Sequence, residues 1–349
     1  MGDIIVQKYG GSSVATTEKI ITIAKRLIER KKTNPKIVVV VSAMGDTTDD
    51  YISLAKEITD TPDKRELDVL MSTGEMISAS LLAMSLKSMG CDAISYNAYQ
   101  LDIQTSGTHG KSLIDDIDVS KIEKSLDEGK IVVVTGFQGL DDIGDITTLG
   151  RGGSDTSAVA LAVKLNGKCE IYTDVDGIYF TDPRKFKDAK KLEEIEYEEM
   201  LELASLGAQV MHSRSIELAQ KYQIELYVGL SCSDIKGTYI RGMKNMKLED
   251  KVITGLATSD DDVAITIDID EEKIVDLFES IANENISMDM ISQTAPINSS
   301  NITVSFTIPK EDLVKAKEIV SKYVLKNKII IDENITKLSL VGLGMKHTS

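Results

Sequence analysis

The sequence is poor in several features that define common protein classes. It has no tryptophan, aromatic residues make up 5% of its 349 residues, and three residues are cysteines. Those three, Cys91, Cys169 and Cys232, lie far apart without a CxxC pair or a Cys/His cluster. This pattern argues against a disulfide framework or a zinc site and favours free thiols in a reducing compartment. Because aromatic side chains are scarce, the cores must be aliphatic, which suits α/β layering.

Targeting and membrane-spanning signals are also absent from the pattern. No apolar run approaches 18 residues, so no transmembrane helix is expected. Met1 leads into a strand-like segment without the basic and long apolar stretches of a signal peptide. Gly2 is not followed by the Ser/Thr context that myristoylation requires. We therefore expect a soluble, cytoplasmic protein with no membrane partner.

Positive charge is in deficit. The chain has 40 Lys and Arg residues against 56 Asp and Glu residues, a formal net charge of -16. Such a balance argues against nucleic acid or an anionic membrane surface as a partner. It leaves an anionic small substrate possible, because a local cluster of basic groups can reverse the field inside one cleft.

The length suits two or three domains. The first 240 or so residues alternate short β-branched runs with helical patterns, which predicts an α/β fold: a mostly parallel sheet sandwiched by helices. The predicted strands are Ile4–Lys8, Ile37–Val41, Ala93–Tyr96, Ile131–Thr135, Cys169–Thr173 and Ile224–Val228. The predicted helices are Thr17–Lys31, Asp68–Ser88, Ser154–Lys164 and Ser213–Tyr222.

The rhythm changes after a charged, Met- and Lys-rich link at residues 242–250, and we place a domain boundary at about residue 245. Residues 1–245 then form one domain and residues 246–349 another. The second has a ferredoxin-like βαββαβ pattern. Its predicted elements are Val263–Ile269, Glu272–Asn283, Ile286–Ile291, Ile302–Ile308, Lys310–Lys322 and Lys328–Ile331, followed by a strand at Lys337–Val341.

A loop with phosphate-binding chemistry follows the first predicted strand. It contains Lys8, Gly10, Gly11 and Ser12. Paired glycines let backbone N–H groups approach a phosphate, the next helix adds the positive end of its dipole, and Lys8 adds a full charge. Taken alone, the glycine pair is a weak signal, and a plain turn is the simpler interpretation.

The loop after the second strand is rich in hydroxyl groups. Ser42 and Thr47 could donate hydrogen bonds to an anion, or Thr47 or Thr48 could cap the following helix.

A third loop, at residues 150–156, brackets Arg151 with glycines before a predicted helix. A purely structural interpretation makes Ser154 the N-cap and Asp155 an acid matched to the helix dipole. However, an exposed arginine between glycines does little for stability, which favours a functional role for Arg151.

A fourth loop, at residues 173–184, contains several acids and ends at Arg184. The acids could form turns, or could meet ribose hydroxyls or magnesium with Arg184 on phosphates. Neither GxxxxGKS/T nor GxGxxG occurs in the sequence. A nucleotide would therefore be held by several separate loops at the carboxyl ends of the strands.

Together these loops resemble the motifs of the aspartokinase family. The resemblance rests on six segments: 8–13 (KYGGSS), 40–45 (VVSAMG), 72–75 (STGE), 150–156 (GRGGSDT), 172–177 (YTDVDG) and 181–184 (TDPR). The second part resembles the ACT regulatory unit of that family, most clearly at residues 284–291 (ENISMDMI).

The resemblance implies the amino-acid kinase fold followed by an ACT-type α+β domain. It implies phosphorylation of the side-chain carboxylate of L-aspartate by ATP with Mg2+, giving 4-phospho-L-aspartate on the route to lysine, threonine and methionine. The implied catalytic residues are Lys8 and Asp155. The implied substrate-binding residues are Ser42, Thr47, Glu75, Arg151, Gly152, Gly153 and Ser154. The implied ATP-binding residues are Lys8, Gly10, Gly11, Ser12, Thr173, Asp174, Tyr179, Asp182 and Arg184.

The implied roles are chemically consistent. Lys8 would neutralise the transferring phosphoryl group, Glu75 would pair with the substrate α-ammonium, and Arg151 would pair with its α-carboxylate. A carboxylate acceptor is already ionised at pH 7, so no general base is needed. Phosphoryl transfer then depends on positioning and charge neutralisation. We expect magnesium to arrive with ATP rather than to be held by a protein side-chain cluster.

The second part departs from the family pattern at two places. Residues 337–345 resemble the opening of a second ACT unit, and the sequence ends soon after. Ile269–Glu272 occupies the place of the usual Asp-Lys-Pro-Gly turn. An effector, lysine or threonine, would be contacted by Ser287 and Asp289, which could otherwise be polar residues at a strand edge. The family also leads us to expect a homo-oligomer, a dimer or a tetramer.

Two other interpretations stay open from sequence. A related kinase of the same fold could phosphorylate glutamate, N-acetylglutamate, carbamate or UMP. A catalytically silent amino-acid sensor could keep the fold for binding alone, although Lys8, Arg151 and Asp155 are all present. We expect no fusion with homoserine dehydrogenase, because these 349 residues leave no room for a second Rossmann domain.

Overall fold

A computed structural model describes residues 4–206, 210–242, 253–284, 286–294 and 301–342. The chain divides into two compact units, one formed by Met1–Gly255 with Val341–Ser349 and the other by Leu256–Leu340. The boundary predicted at about residue 245 lies outside the described residues, as do residues 343–345 of the predicted opening of a second ACT unit.

The first unit contains two sheets. Its strands are β1 (Ile4–Tyr9), β2 (Lys36–Val41), β3 (Ala93–Tyr96), β4 (Gln104–Ser106), β5 (Leu113–Asp116), β6 (Ile131–Thr135), β7 (Gln138–Leu140), β8 (Ile146–Thr148), β9 (Lys168–Thr173), β10 (Glu194–Ile195), β11 (Leu226–Leu230) and β12 (Thr238–Ile240). The large sheet has the order β10-β12-β11-β9-β1-β2-β6-β3, and β12 runs antiparallel to β11 while the other paired strands are parallel. The predicted parallel sheet is confirmed.

Burial explains why the central strands were predictable. Ile37–Val41 and Ile131–Thr135 are buried at every position, so both faces of β2 and β6 demand apolar side chains. The smaller sheet, β5-β4-β7-β8, was not predicted. Its strands are three or four residues long and largely polar, so they lack a readable period.

Eight α-helices accompany these strands in the described part of the first unit. They are α1 (Thr17–Lys31), α2 (Thr47–Ile58), α3 (Lys64–Ser88), α4 (Ala98–Leu101), α5 (Ser120–Asp127), α6 (Gly153–Lys164), α7 (Tyr197–Ser205) and α8 (Ser213–Tyr222). The prediction placed the start of α3 four residues late, at Asp68. The helix begins earlier because Asp63 caps it, accepting a hydrogen bond from the Glu66 amide at 3.1 Å.

Helix α3 is central to the unit. By length and composition it is the one helix among the described residues that could cross a membrane, although half of that stretch is buried inside the protein. It packs with α1 against the sheet, and Ile23, Leu27, Leu82 and Leu86 are fully buried there. The buried face also includes polar groups, as described below, so α3 is a core helix of this unit.

The second unit contains β13 (Gly255–Ser259), β14 (Asp262–Asp270), α9 (Ile274–Asn283), β15 (Asp289–Thr294), β16 (Asn301–Pro309), α10 (Leu313–Tyr323), β17 (Ile329–Asp332) and β18 (Lys337–Val341). The sheet order β15-β16-β14-β17 is that of a ferredoxin-like unit, as predicted. The prediction started the strand at Ile286 instead of Asp289. Ile286 is buried in the core ahead of the strand, so its apolar side chain extends the strand-like pattern of the sequence beyond the strand itself.

Candidate active site

The loops singled out from the sequence meet at one edge of the large sheet. Strands β1, β2, β6 and β9 are adjacent and parallel, so their carboxyl ends lie on the same edge. The Gly10 amide donates to the Tyr172 carbonyl at 3.2 Å, and the Gly45 amide donates to the Gly11 carbonyl at 3.0 Å. The loops after β1, β2 and β9 are thereby joined. They lie where the sheet order changes direction, because β1 has β2 on one side and β9 on the other.

Lys8 and Asp155 form the centre of this edge. Lys8 Nζ lies 2.6 Å from Asp155 Oδ1, and the two side chains are 11% and 10% exposed. Lys8 comes from the end of β1, whereas Asp155 lies in the first turn of α6. A charged pair this close is strong when shielded from water, so each group fixes the other in position.

Glycine is required where the first two loops cross. A Cβ on Gly11 would lie 2.9 Å from the Gly45 carbonyl oxygen and 3.0 Å from that of Ala43. A Cβ on Gly10 would lie 3.4 Å from Lys8 Nζ. The absence of side chains therefore brings backbone close to the lysine ammonium, as a phosphate-binding loop requires.

The amino terminus of α6 points to the same place. Its N-cap is Gly152, in the left-handed region with φ 68°, so the structural interpretation of Ser154 as N-cap is wrong. Ser154 instead packs against the backbone that follows β6, where a Cβ on Gly136 would lie 2.7 Å from Ser154 Oγ. The positive end of a 12-residue helix is thus directed at the Lys8 region.

Glu75 lies beneath the second loop. It is 3% exposed, its Oε1 accepts a hydrogen bond from the Ala43 amide at 3.0 Å, and its Oε2 has no partner among the described residues. Burial raises the pKa of Glu75 to about 8. Gly74 allows α3 to come this near, because a Cβ there would lie 2.7 Å from Ala43 Cβ. Once ionised, this buried group has a free carboxylate oxygen that can receive a cation.

The hydroxyl groups of the second loop are only partly as expected. The N-cap of α2 is Asp46, so the interpretation of Thr47 or Thr48 as the cap is wrong. The Thr47 hydroxyl donates to the Met44 carbonyl. The Ser42 carbonyl accepts from the Ser78 hydroxyl at 2.7 Å, which fixes the backbone of this loop.

Arg151 projects from the turn between β8 and α6. Its side chain is exposed and has no hydrogen bond or ion pair within the described part of the chain. Gly150 and Gly152 on either side adopt φ values of 77° and 68°, which glycine tolerates best. The guanidinium is therefore available to an anion from outside the protein.

Lys8, Gly10, Gly11 and Ser12 belong to the first loop, whereas the other residues expected at ATP lie at the end of β9 and beyond it. The Tyr179 hydroxyl donates to Asp176 Oδ1 at 2.9 Å, and Arg184 Nη2 lies 2.9 Å from Asp182 Oδ2. The hydrogen bond from Arg184 lowers the pKa of Asp182 below its ordinary value.

At the end of β9, the Thr173 hydroxyl donates to Asp174 Oδ1 at 3.1 Å. Within the described residues no hydrogen bond or ion pair joins Tyr179, Asp182 or Arg184 to the Lys8–Asp155 pair. Arg184, with its side chain 87% exposed, is placed to meet solvent-borne phosphate.

Two further residues belong near this cleft and were missed from sequence. Asp68 and Arg214 hold the turn that carries Arg151, through contacts that span 80 and 65 residues of sequence. No short motif contains both ends of such a contact. Their one sequence signal is a charged residue within an apolar helical pattern.

The chain was compared with known families, proteins and structures. A model of the amino acid kinase family matches residues 3–229, and a model of the ACT domain matches residues 274–323. An aspartokinase of Geobacillus stearothermophilus is 45% identical over 347 residues, which covers 98% of this chain and 84% of that protein.

Solved structures give the same neighbours. Aspartate kinase from Synechocystis is 38% identical with a TM-score of 0.61, covering 98% of this chain and 60% of that chain. E. coli aspartokinase III, in complex with aspartate and ADP, has a TM-score of 0.76 and covers 97% of this chain and 87% of that chain. At 24% identity, this second likeness shows the fold alone.

Proposed function

Because this chain belongs to the aspartokinases of the amino acid kinase family, we propose that its cleft moves the γ-phosphoryl group of ATP to the side-chain carboxylate of L-aspartate. The products are 4-phospho-L-aspartate and ADP, and the reaction is the first step toward lysine, threonine and methionine. The observation that supports this use of the cleft is the Lys8–Asp155 pair at the same sheet edge as the second loop, which buried Glu75 contacts while its second oxygen has no partner among the described residues.

Three charged groups would divide the recognition of aspartate. Glu75 would accept the α-ammonium through its free oxygen, and the exposed Arg151 would hold the α-carboxylate by two parallel hydrogen bonds. The side-chain carboxylate would then face Lys8. Gripping both α-groups distinguishes aspartate from a simple carboxylic acid, because an analogue lacking either group leaves a charged partner unpaired.

The transfer itself needs no proton movement. An oxygen of the aspartate carboxylate forms a bond to the γ-phosphorus while the bond from that phosphorus to the bridging oxygen of ADP breaks. Negative charge spreads over the phosphoryl oxygens in the transition state. Lys8, the backbone amides beside Gly10 and Gly11, and the α6 amino terminus stabilise that charge, while Asp155 holds Lys8 in place.

We also propose that the nucleotide brings magnesium with it. No group of three His, Cys, Asp or Glu residues that could hold a metal occurs among the residues the structure describes. Mg2+ in kinases is held mainly by phosphates and water with one or two carboxylates, which Asp155 and Asp174 could supply. When bound, the ion neutralises phosphate charge.

The proposed grip on the α-carboxylate is tested by Arg151→Ala. We expect the KM for aspartate to rise by about a hundredfold, since a bidentate ion pair is lost, while the KM for ATP stays within about twofold. Steady-state assays of ADP release, varying each substrate in turn, measure both constants.

A matched control for this variant is Arg241→Ala. Arg241 is a half-buried arginine paired with Glu194 and Glu225 near the opposite end of the sheet order. It should leave both KM values unchanged. An aspartate KM that does not move in Arg151→Ala removes Arg151 from this role. A substrate panel of aspartate, glutamate and N-acetylglutamate, with hydroxylamine trapping of the acyl phosphate, separates this activity from those of related kinases.

For the second unit we propose feedback control by an amino-acid effector at Ser287 and Asp289. Asp289 lies at the exposed edge strand β15, and Lys337 Nζ lies 3.0 Å from its Oδ2. The hydrogen bond from Lys337 holds the pKa of Asp289 below its usual range. An ionised, exposed carboxylate suits the ammonium group of a free amino acid, and pairing of such units between copies would make a homo-oligomer.

Calorimetric titration with lysine and threonine in separate runs tests the effector site. We expect heat from one of the two amino acids, and a loss of affinity of about tenfold or more in Asp289→Asn, because the charged partner of the ammonium is removed. Glu284→Gln, which alters an exposed acid paired with Lys315, is the matched control. Binding that is equal in Asp289→Asn and the unaltered protein would contradict the assignment.

Family and composition also support a cytoplasmic location.

A further inference from the structure

We propose that Asp68 and Arg214 are positioning residues that hold the turn carrying Arg151 and thereby set the affinity for the α-carboxylate of aspartate. Neither residue needs to touch the substrate. The inference rests on the proposed role of Arg151, and the experiment below separates the failure of one from the failure of the other.

Asp68 joins two segments that are distant in sequence. Its side chain is 1% exposed. Oδ2 lies 2.9 Å from His109 Nδ1 and accepts hydrogen bonds from the amides of Gly110 and Thr148, each at 3.0 Å. Oδ1 accepts the Thr148 hydroxyl at 2.6 Å. One carboxylate therefore fixes both the loop after β4 and the end of β8, which leads directly into the Arg151 turn.

Arg214 holds the other side of the same junction. Its Nη1 donates to the Leu149 carbonyl at 2.9 Å, and its Nη2 donates to the Ser112 carbonyl at 2.8 Å. In the described part of the chain, the guanidinium binds these carbonyl groups and forms no ion pair with a carboxylate. Burial lowers the pKa of Arg214 below its ordinary value. Arg214 is half-buried, and removing a cation from water even in part without a counter-charge costs free energy, so stability alone is a poor reason for this arrangement.

The turn between these two anchors is tightly packed. A Cβ on Gly150 would lie 2.8 Å from the Gly110 carbonyl oxygen, and a Cβ on Gly152 would lie 2.2 Å from His212 Cβ. The backbone on both sides of Arg151 is thus pressed against the 108–112 loop and the start of α8. Only the Arg151 side chain is left exposed, so its base is rigid while its guanidinium faces outward.

Helix α3 carries residues that act on both α-groups of the substrate. Asp68 and Glu75 are both buried on this helix, seven residues apart, which is roughly 10 Å along its axis. Glu75 is proposed to bind the α-ammonium, and Asp68 holds the turn that binds the α-carboxylate. One helix therefore sets the distance between the two groups that bind the substrate. A displacement of about 1 Å in such a geometry lowers the reaction rate by up to a hundredfold.

Arg214→Met tests the inference by removing the guanidinium while keeping the apolar stem. We expect the aspartate KM to rise about tenfold or more, with the ATP KM and the kcat at saturating aspartate within about twofold. A single ammonium cannot span two carbonyls as the planar guanidinium does. The aspartate KM of Arg214→Lys should therefore lie between those of the unaltered protein and Arg214→Met. Arg241→Met serves as the matched control and should leave all constants unchanged.

Asp68 gives a second test that does not depend on Arg214→Met folding. Asp68→Ala leaves the Gly110 and Thr148 amides without an acceptor and should raise the aspartate KM in the same way. Asp68→Asn should restore it to within about threefold, because the amide oxygen can accept those bonds and its NH2 can donate to the Thr148 hydroxyl. Rescue by asparagine identifies a role in geometry rather than in charge.

The deciding measurement is a double-mutant cycle with Arg151→Ala. If Arg214 acts through Arg151, adding Arg214→Met to Arg151→Ala changes the aspartate KM by less than about twofold. A further tenfold loss in the double variant would overturn the inference. Should Arg151→Ala by itself leave the aspartate KM unchanged, the proposed binding role of Arg151 fails first. Should Arg151→Ala raise it while Arg214→Met and Asp68→Ala do not, only the positioning role fails.

Discussion

Replacing Lys8 with alanine is expected to lower kcat by at least about two orders of magnitude, while both KM values change much less. The ammonium of Lys8 lies in a shielded site, 2.6 Å from Asp155 Oδ1. In that setting a fixed positive charge stabilises the spread charge of a phosphoryl transition state more than it stabilises either bound substrate. Loss of one such preorganised group costs a hundredfold to a thousandfold in other enzymes that stabilise charge in this way. Single-turnover measurement of phosphoryl transfer at saturating ATP and aspartate isolates this step.

Lys164→Ala is the matched control for Lys8→Ala. Lys164 also pairs with an aspartate, Asp116, at 2.5 Å, and it lies at the far end of the helix that carries Asp155. It should leave kcat unaltered. Lys8→Ala also leaves the Asp155 carboxylate without its ion-pair partner. The variant Lys8→Ala/Asp155→Asn removes both charges, and so separates the effect of losing the cation from the effect of leaving an unpaired acid. A turnover close to that of the unaltered enzyme in Lys8→Ala would refute the proposed chemistry.

Lys8 and its loop were open to prediction because the relevant signals are local. The strand before it is followed within a few residues by paired glycines, and β2 beside it reads as a continuous apolar run. Burial on both faces forces that run, so strand type and direction follow from composition. The same holds for the glycines around Arg151, which interrupt a pattern that otherwise continues into α6.

What escaped prediction depends on partners far away in sequence. Asp68 on α3 meets Thr148, and Arg214 on α8 meets Ser112, and no period or motif relates such positions. The caps of α2 and α6 were misassigned for a similar reason. Ser and Thr residues are good caps in isolation, but packing against neighbouring loops placed the helix starts at Thr47 and Gly153 instead.

Glu75 shows most directly how burial can control function. It is 3% exposed, the Ala43 amide is the one donor to its carboxylate among the residues the structure describes, and burial raises its pKa to about 8. The unfolded chain has the ordinary value of 4.5 and so releases a proton that the folded protein retains. Stability of the ligand-free protein should therefore fall as pH rises from about 5 to about 8, at up to about 1.4 kcal/mol per unit.

Aspartate binding should respond to pH in the opposite direction. The α-ammonium of the substrate pairs with the ionised form of Glu75, so each binding event below pH 8 releases a proton from that carboxyl. We expect the affinity for aspartate to rise by about tenfold per unit up to about pH 8 and then to level off. Calorimetric titration in two buffers of different ionisation enthalpy counts the released protons.

Glu75→Gln should abolish this pH dependence of binding and of stability together. The glutamine can still accept the Ala43 N–H but offers no negative charge, so the aspartate KM should rise by about two orders of magnitude at pH 8. Glu66→Gln, an exposed acid in the first turn of the same helix, is the matched control and should keep the normal profile. If Glu75→Gln retained both the proton release and the falling stability, the proton would have to reside elsewhere, and Glu75 would lose its place as the ammonium-binding group.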